Sequence, residues 1–256
     1  MTQDPAANAS DRHSESSSHA VPEDVGSAYA IEELLPDPLP AAPFALFQAW
    51  FDDAHARRQQ PNPNAMTLAT ADEDGNPNAR IVLCKEIRAE PGVVLFYTNY
   101  DGTKARELRQ NARATLVFHW DHADRQVRIS GPVTRATAAE SDAYFKTRAW
   151  QSRLGAWSSR QSQPIESREV LLEQVMEKAI ELGLDITALV DQTAKPGDFD
   201  IPRPPNWGGF RVWAARVELW CGGTGRVHDR AAWTRNLMPN NDGFTADDWA
   251  CTRLQP

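Results

Sequence analysis

Five short strands succeed one another between residues 66 and 135, and their order constrains the fold more than any other feature of the chain. The spacing predicts strands over 66–71 and 78–87, joined by the turn Asp72-Glu73-Asp74-Gly75-Asn76 in the pattern of a β-hairpin. Pro91-Gly92 marks the next turn, before a strand over 93–98, a short helix over 103–110, and strands over 113–120 and 125–135. Strands over 210–220 and 226–235 flank Gly222-Gly223-Thr224-Gly225, and a last one covers 249–254. Parallel neighbours need long crossovers, and no β-α-β alternation is present. The expected fold is mainly β with flanking helices (α+β), a barrel or strongly bent antiparallel sheet.

Phe44, Phe47, Trp50, Phe51 and Ala54 fall at helical spacing behind Pro43, which predicts an amphipathic helix ending before Pro61. Helices are also expected over 138–160 and 166–182, followed by a Pro-rich surface loop over 195–205. Residues 1–36 are rich in Ser, Ala, Asp and Glu, with the run Ser14-Glu15-Ser16-Ser17-Ser18, and read as a disordered acidic tail. With 256 residues, 41% of them hydrophobic, the chain can bury a core as one large domain or two small ones, and 37–256 reads as a single domain.

A formal net charge of -8 argues against nucleic acid as a partner, because a phosphate backbone demands a basic surface. Any anion held here must be gripped by a local cluster. Cys84, Cys221 and Cys251 are odd in number and widely spaced, so neither a disulfide framework nor a metal site is expected. No apolar run reaches the length of a membrane span and no signal-peptide pattern opens the chain, so the expectation is a cytoplasmic protein without membrane contact.

Three local clusters stand out. Arg226, His228 and Arg230 alternate, which on one strand would place two guanidiniums and an imidazole on a single face, either as a wall for an anionic or electron-rich group or as a solvated surface. The adjoining glycine turn lies between strands, with no helix to face a pyrophosphate. Tyr144, Arg148 and Ser152 recur at i, i+4 and i+8, which on one helix would align the donors a phosphate monoester needs, or an exposed polar stripe. Arg80 and Lys85 have opposite strand parity and would serve two different anions. Lys104, Gln126, Gln161 and Ser162 are further polar candidates.

The stretches Arg80-Ile81-Val82-Leu83-Cys84-Lys85, Phe96-Tyr97-Thr98-Asn99, Arg125-Gln126-Val127, Gly155-Ala156-Trp157, Trp207-Gly208-Gly209-Phe210-Arg211 and Arg226-Val227-His228-Asp229-Arg230 occur in family order, with Tyr144 to Ser152 among them. Through them the chain resembles the pyridoxine (pyridoxamine) 5'-phosphate oxidases from about Pro38 to the C-terminal Gln255-Pro256. The resemblance implies an antiparallel split β-barrel working as a homodimer, with FMN between subunits. It also implies oxidation of pyridoxine 5'-phosphate or pyridoxamine 5'-phosphate to pyridoxal 5'-phosphate, with dioxygen as acceptor and hydrogen peroxide as product.

By position, the resemblance assigns FMN contacts to Arg80, Ile81, Val82, Leu83, Cys84 and Lys85, to Tyr97, Thr98, Thr103 and Lys104, and to Gln126, Gln161, Ser162, Trp220 and Arg230. Lys85, Tyr144, Arg148 and Ser152 would hold the substrate phosphate. Arg226, Val227 and His228 would meet its ring, with Arg226 and His228 as the catalytic pair. Thr103 departs from the arginine often found there, and Ala149 from the usual proline, which leaves the helix free to continue. The acidic 30–35 segment replaces a basic one. Alternatives are a relative oxidising another ring, as in phenazine biosynthesis, a non-catalytic FMN or pyridoxal phosphate binder, and a structural interaction protein.

Overall fold

A computed structural model describes residues 34–191, 193, 195 and 199–256. The tail expected over 1–36 lies outside the described residues except for its last three, and so do four of the six residues of the acidic 30–35 segment. Leu35 is buried, and its amide donates to the Asp229 carboxylate at 2.8 Å.

The chain runs α1 (Phe44–Arg57), β1 (Ala65–Ala71), β2 (Pro77–Leu83), β3 (Glu86–Arg88), β4 (Val93–Asn99), α2 (Thr103–Gln110), β5 (Arg113–Trp120) and β6 (Arg125–Arg135). Four helices follow: α3 (Ala138–Lys146), α4 (Trp150–Ser158), α5 (Arg168–Glu181) and α6 (Ile186–Val190). The C-terminal part holds β7 (Trp207–Trp213), β8 (Arg216–Cys221), β9 (Asp229–Thr234), β10 (Leu237–Asn240), β11 (Gly243–Ala246) and β12 (Ala250–Leu254). No described helix is long and apolar enough to cross a membrane.

All strand pairs are antiparallel, in the order β12-β9-β8-β6-β5-β1-β2, with β7, β4 and β3 branching from β6. The eleven-residue β6 makes the split. It pairs with β8 over Arg125–Ser130 and with β7 from Val133 to Arg135, changing partner at Gly131-Pro132. A Cβ on Gly131 would sit 1.8 Å from the Trp213 carbonyl oxygen, so only glycine lets the two sheets close to this distance. The result is an antiparallel sheet curled into a split barrel with helices outside, as expected.

The barrel interior is apolar because β1, β5 and β6 present alternate side chains inward while β4 and β7 are buried on both faces. Leu116, Phe118 and Trp120 of β5 and Val127 and Ile129 of β6 are almost fully buried. Helix α1 closes one end. Phe44, Phe47 and Trp50 point inward, with the Phe47 and Phe118 rings 5.1 Å apart, and each such burial contributes about 1.5–3 kcal/mol. Arg125 clamps the helix to β6 through Asp53 at 2.8 Å and the Trp50 ring at 5.1 Å.

Several expected boundaries are corrected. The 78–87 strand breaks at Cys84-Lys85, where the first amide bonds to Asn64 and the next to Leu95, passing the chain from one sheet to the other. The 210–220 strand breaks for the same reason, with Ala214 bonded to Gly92 and Ala215 to Ser130. The 138–160 helix is two helices. Thr147 donates its hydroxyl to the Tyr144 carbonyl at 2.8 Å and Ala149 is extended (ψ 143°), so alanine at 149 does not carry the helix onward. The 195–205 loop is not wholly superficial, because Phe199 and Ile201 are buried with Leu154 and Ala179. The β10–β11 hairpin, not expected from the sequence, packs Phe244 on Trp213.

Candidate functional site

A cavity of about 780 Å³ opens where β2, β4, the start of α2, the α3–α4 connection and the start of β7 converge. Four basic side chains line it, Arg80, Lys85, Lys104 and Arg148, and no acidic one does. In a chain of net charge -8 this concentration of positive charge is chemically suited to an anion.

At one end Lys104, at the N-terminal turn of α2, donates to Gln161 at 2.7 Å and to Thr98 at 3.3 Å. The Thr103 amide donates to the Ser162 hydroxyl at 3.3 Å, and Ser162 holds a left-handed φ of 69°. Burial is the main cause that holds the Lys104 pKa below its ordinary value, with the Arg80 charge beside it adding to the effect. At the other end Tyr97 stacks on Tyr144 at 4.2 Å and on Trp207 at 5.6 Å, and Lys85 lies 5.7 Å from the Tyr144 ring centre. The Arg148 guanidinium lies over Trp207 at 4.6 Å, and its Nη1 is buried without a hydrogen-bond partner. Gly209 lets Tyr97 approach, since a Cβ there would fall 2.7 Å from its ring.

Members of both expected anion sets therefore line one cavity, while Thr103 and Ser162 stand outside its lining. The opposite parity of Arg80 and Lys85 does not separate them, because β2 has ended before Lys85. Tyr144, Arg148 and Ser152 also face this cavity, not as one helical stripe but from the end of α3, the connection, and α4. Ile81, Val82 and Leu83 contribute to the wall. The Cys84 side chain instead turns into the core, where burial pushes its thiol pKa up to about 12.

A second group gathers elsewhere, on β6, β8 and β9. Gln126 pairs with Trp220 and Trp220 with Arg230, so the three form one cross-strand row. Arg230 donates to Glu218 at 2.7 Å, yet its Nε is buried without a partner. The expected cationic strand face is not formed: β9 begins at Asp229, and Gly225 and Arg226 are both left-handed, with φ of 64° and 65°. A strand cannot pass through that conformation. Arg226 and Val227 are exposed. His228 packs against Trp220 at 4.7 Å and accepts the Gly223 amide at Nδ1, which assigns its proton to Nε2. None of Gln126, Trp220, Arg226, His228 and Arg230 lines the cavity of this chain.

Two neighbours of the expected site residues were given no role by the sequence reading. Trp207 entered only as part of a family stretch, and it lines the cavity. Glu107, one helical turn after Lys104, is buried against Arg80.

The family model described as pyridoxamine 5'-phosphate oxidase matches residues 52–180, and that described as pyridoxine 5'-phosphate oxidase C-terminal dimerisation region matches 207–256. A pyridoxine/pyridoxamine 5'-phosphate oxidase of Gluconobacter oxydans is 46% identical over 219 residues, 85% of this chain and 96% of its own length. One of Bordetella petrii is 43% identical over 233 residues, 91% and 98% of the two chains. Among solved structures, PhzG from Burkholderia lata in complex with tetrahydrophenazine-1-carboxylic acid superposes with a TM-score of 0.72 at 28% identity, covering 88% of this chain and 99% of its own. A pyridoxamine 5'-phosphate oxidase-related FMN binding protein from Nostoc punctiforme, 15% identical with a TM-score of 0.61 over 85% of this chain and 100% of its own, shares the fold. Identity above two-fifths along most of both chains goes beyond a common architecture, and this chain belongs to the pyridoxamine 5'-phosphate oxidase family of oxidoreductases.

Proposed function

We propose that the protein is an FMN-dependent oxidase that converts pyridoxine 5'-phosphate or pyridoxamine 5'-phosphate to pyridoxal 5'-phosphate, in the cytoplasm and as a homodimer. The observation that carries this is the cavity with four cations and no carboxylate. FMN and the substrate each bring a phosphate, and the basic side chains fall into two sets at its two ends. The donor chemistry fits both groups: among the described residues Arg148 holds a buried N–H without a protein partner, as a phosphate ligand would, and Arg230 holds another in the second group.

Arg80, Lys104, Thr103, Gln161 and Ser162 would grip the FMN phosphate, with Tyr97, Thr98 and the 81–85 backbone along the flavin. Lys85, Tyr144, Arg148 and Ser152 would hold the substrate phosphate. Gln126, Trp220, Arg226, Val227, His228 and Arg230 would complete the site from the partner subunit, which accounts for their lying outside the cavity of their own chain. Bound FMN would supply the two-electron acceptor, with dioxygen as final oxidant. The alcohol and dioxygen then give aldehyde and hydrogen peroxide, and the amine additionally takes up water and releases ammonia.

The protein's own share is positional. Two anchored phosphates fix the distance between the reacting rings. The exposed Arg226 and the Nε2–H of His228 would orient the substrate ring and stabilise charge on its oxygen, with neither acting as an obligatory base.

The test is a flavin absorbance spectrum of the purified protein, followed by oxygen uptake and peroxide release with each vitamer phosphate. A flavoprotein that produces peroxide from either substrate supports the reading. A colourless protein refutes the flavin assignment, and a flavoprotein inert to both vitamers but active on a dihydrophenazine acid supports the alternative ring substrate.

A further inference from the structure

We propose that Glu107 is a positioning residue, whose buried carboxylate holds the Arg80 guanidinium aimed at the phosphate of the bound flavin. The inference rests on the flavin reading above and adds a part to that site.

Glu107 is only 7% exposed, yet it lies beside a cavity built to receive anions. A carboxylate there opposes anion binding by simple Coulomb repulsion, so its presence needs a compensating role. Its two oxygens are fully engaged. Thr70 donates at 2.5 Å, Asn78 at 2.8 Å and Arg80 Nη2 at 2.9 Å. Thr70 in turn accepts from Arg80 Nη1, which also reaches the Leu68 carbonyl at 3.4 Å. Arg80, Thr70 and Glu107 thus form a closed ring in which each member fixes the other two.

The ring has a geometric consequence. Three of the five guanidinium N–H groups are committed to the protein, and the two that remain belong to a side chain lining the cavity. Arg80 sits on β2 at the margin of the sheet, next to the 65% exposed Ile81, where an unbraced arginine would sample many rotamers. The carboxylate removes that freedom before the ligand arrives. It also supports the neighbouring cation: burial and the Arg80 charge pull the Lys104 pKa down, and Glu107 opposes them.

The two possible roles of Glu107 predict opposite signs. If it acted only through its charge, Glu107→Gln would tighten FMN binding. A positioning role predicts weaker binding, because the amide turns an N–H toward donors and opens the ring. The experiment titrates the apoprotein with FMN and with riboflavin, which lacks the phosphate, following quenching of flavin fluorescence. Glu107→Gln should weaken FMN binding about tenfold or more, the equivalent of one charge-assisted hydrogen bond, and leave riboflavin binding within about twofold of wild type. In an Arg80→Ala background the same substitution should have no further effect. Thr70→Val, which breaks the ring while keeping the carboxylate charge, should show the same phosphate-selective loss, and Thr70→Ser should restore it. Tighter or unchanged FMN binding, equal loss for both flavins, or a loss that persists without Arg80 overturns the inference. A wild-type protein that binds neither flavin refutes the flavin reading itself, which separates the two failures.

Discussion

Replacing Arg148 with methionine should leave the empty protein as stable as wild type while crippling its grip on the substrate phosphate. The arginine Nη1 is buried with no partner, and such an orphaned donor costs about 1–3 kcal/mol. The stacking of the guanidinium on Trp207 at 4.6 Å and Phe145 at 5.3 Å returns about 0.5–2 kcal/mol. Methionine keeps the unbranched stem over the same rings, so the net change in unfolding free energy should be under about 1 kcal/mol in either direction, against about 2–5 kcal/mol for emptying a core site. With substrate bound the balance reverses. Losing a charge-assisted hydrogen bond of about 1.5–3 kcal/mol should raise KM about ten- to a hundredfold with little change in kcat. Urea unfolding of the apoprotein and steady-state kinetics with pyridoxine 5'-phosphate measure the two effects. A stability loss above about 2 kcal/mol would show that Arg148 is a structural residue, and an unchanged KM would remove it from the phosphate site.

Gly209→Ala should lower the melting temperature by several degrees, about 1–3 kcal/mol, because the new methyl would lie 2.7 Å from both Ala136 Cβ and Tyr97 Cε1; an unchanged melting curve would contradict that packing. Arg226→Gly should be more stable than Arg226→Ala by about 1 kcal/mol, given a φ of 65° at this position, while both lose turnover and retain flavin; equal stability would argue against the left-handed backbone. Glu140 should confer pH-dependent stability. Burial raises its pKa, but hydrogen bonds from Arg211, Thr137 and Arg88 outweigh this and bring it from 4.5 to about 2. Its contribution is complete above pH 4.5 and declines as pH falls toward about 2. The stability gap between wild type and Glu140→Gln in urea should therefore narrow from pH 6 to pH 3, and a constant gap would refute the assignment.

Strand positions were legible wherever a run of strand-forming residues stays one strand. β1, β4, β5 and β6 fall where the sequence placed them, β6 even though it changes sheet, as does α1 at helical spacing. The errors have a common origin. At Cys84-Lys85 and at Ala214-Ala215 the side-chain pattern continues, but successive amides bond to different sheets, a choice that depends on partners remote in sequence. Arg226 and His228 looked like strand residues because alternation is insensitive to the sign of φ, and Gly225 was the only local hint of a left-handed turn. The α3–α4 break was hidden because Thr147 stops the helix through a side-chain bond to the Tyr144 carbonyl, which composition does not reveal.

By itself the sequence determined the chemistry available: which residues are cationic, that the sheet is antiparallel, and, through its ordered motifs, which family it resembles. The tertiary structure decided the grouping. Arg80, Lys85, Lys104 and Arg148 share one cavity because β2, α2 and the α3–α4 connection converge there, while Gln126, Trp220 and Arg230 form a row on another part of the sheet. Periodicity fixes which way a side chain faces along its own element. Only the packing of elements brings like charges into one enclosure, at an electrostatic cost that the buried apolar core sustains.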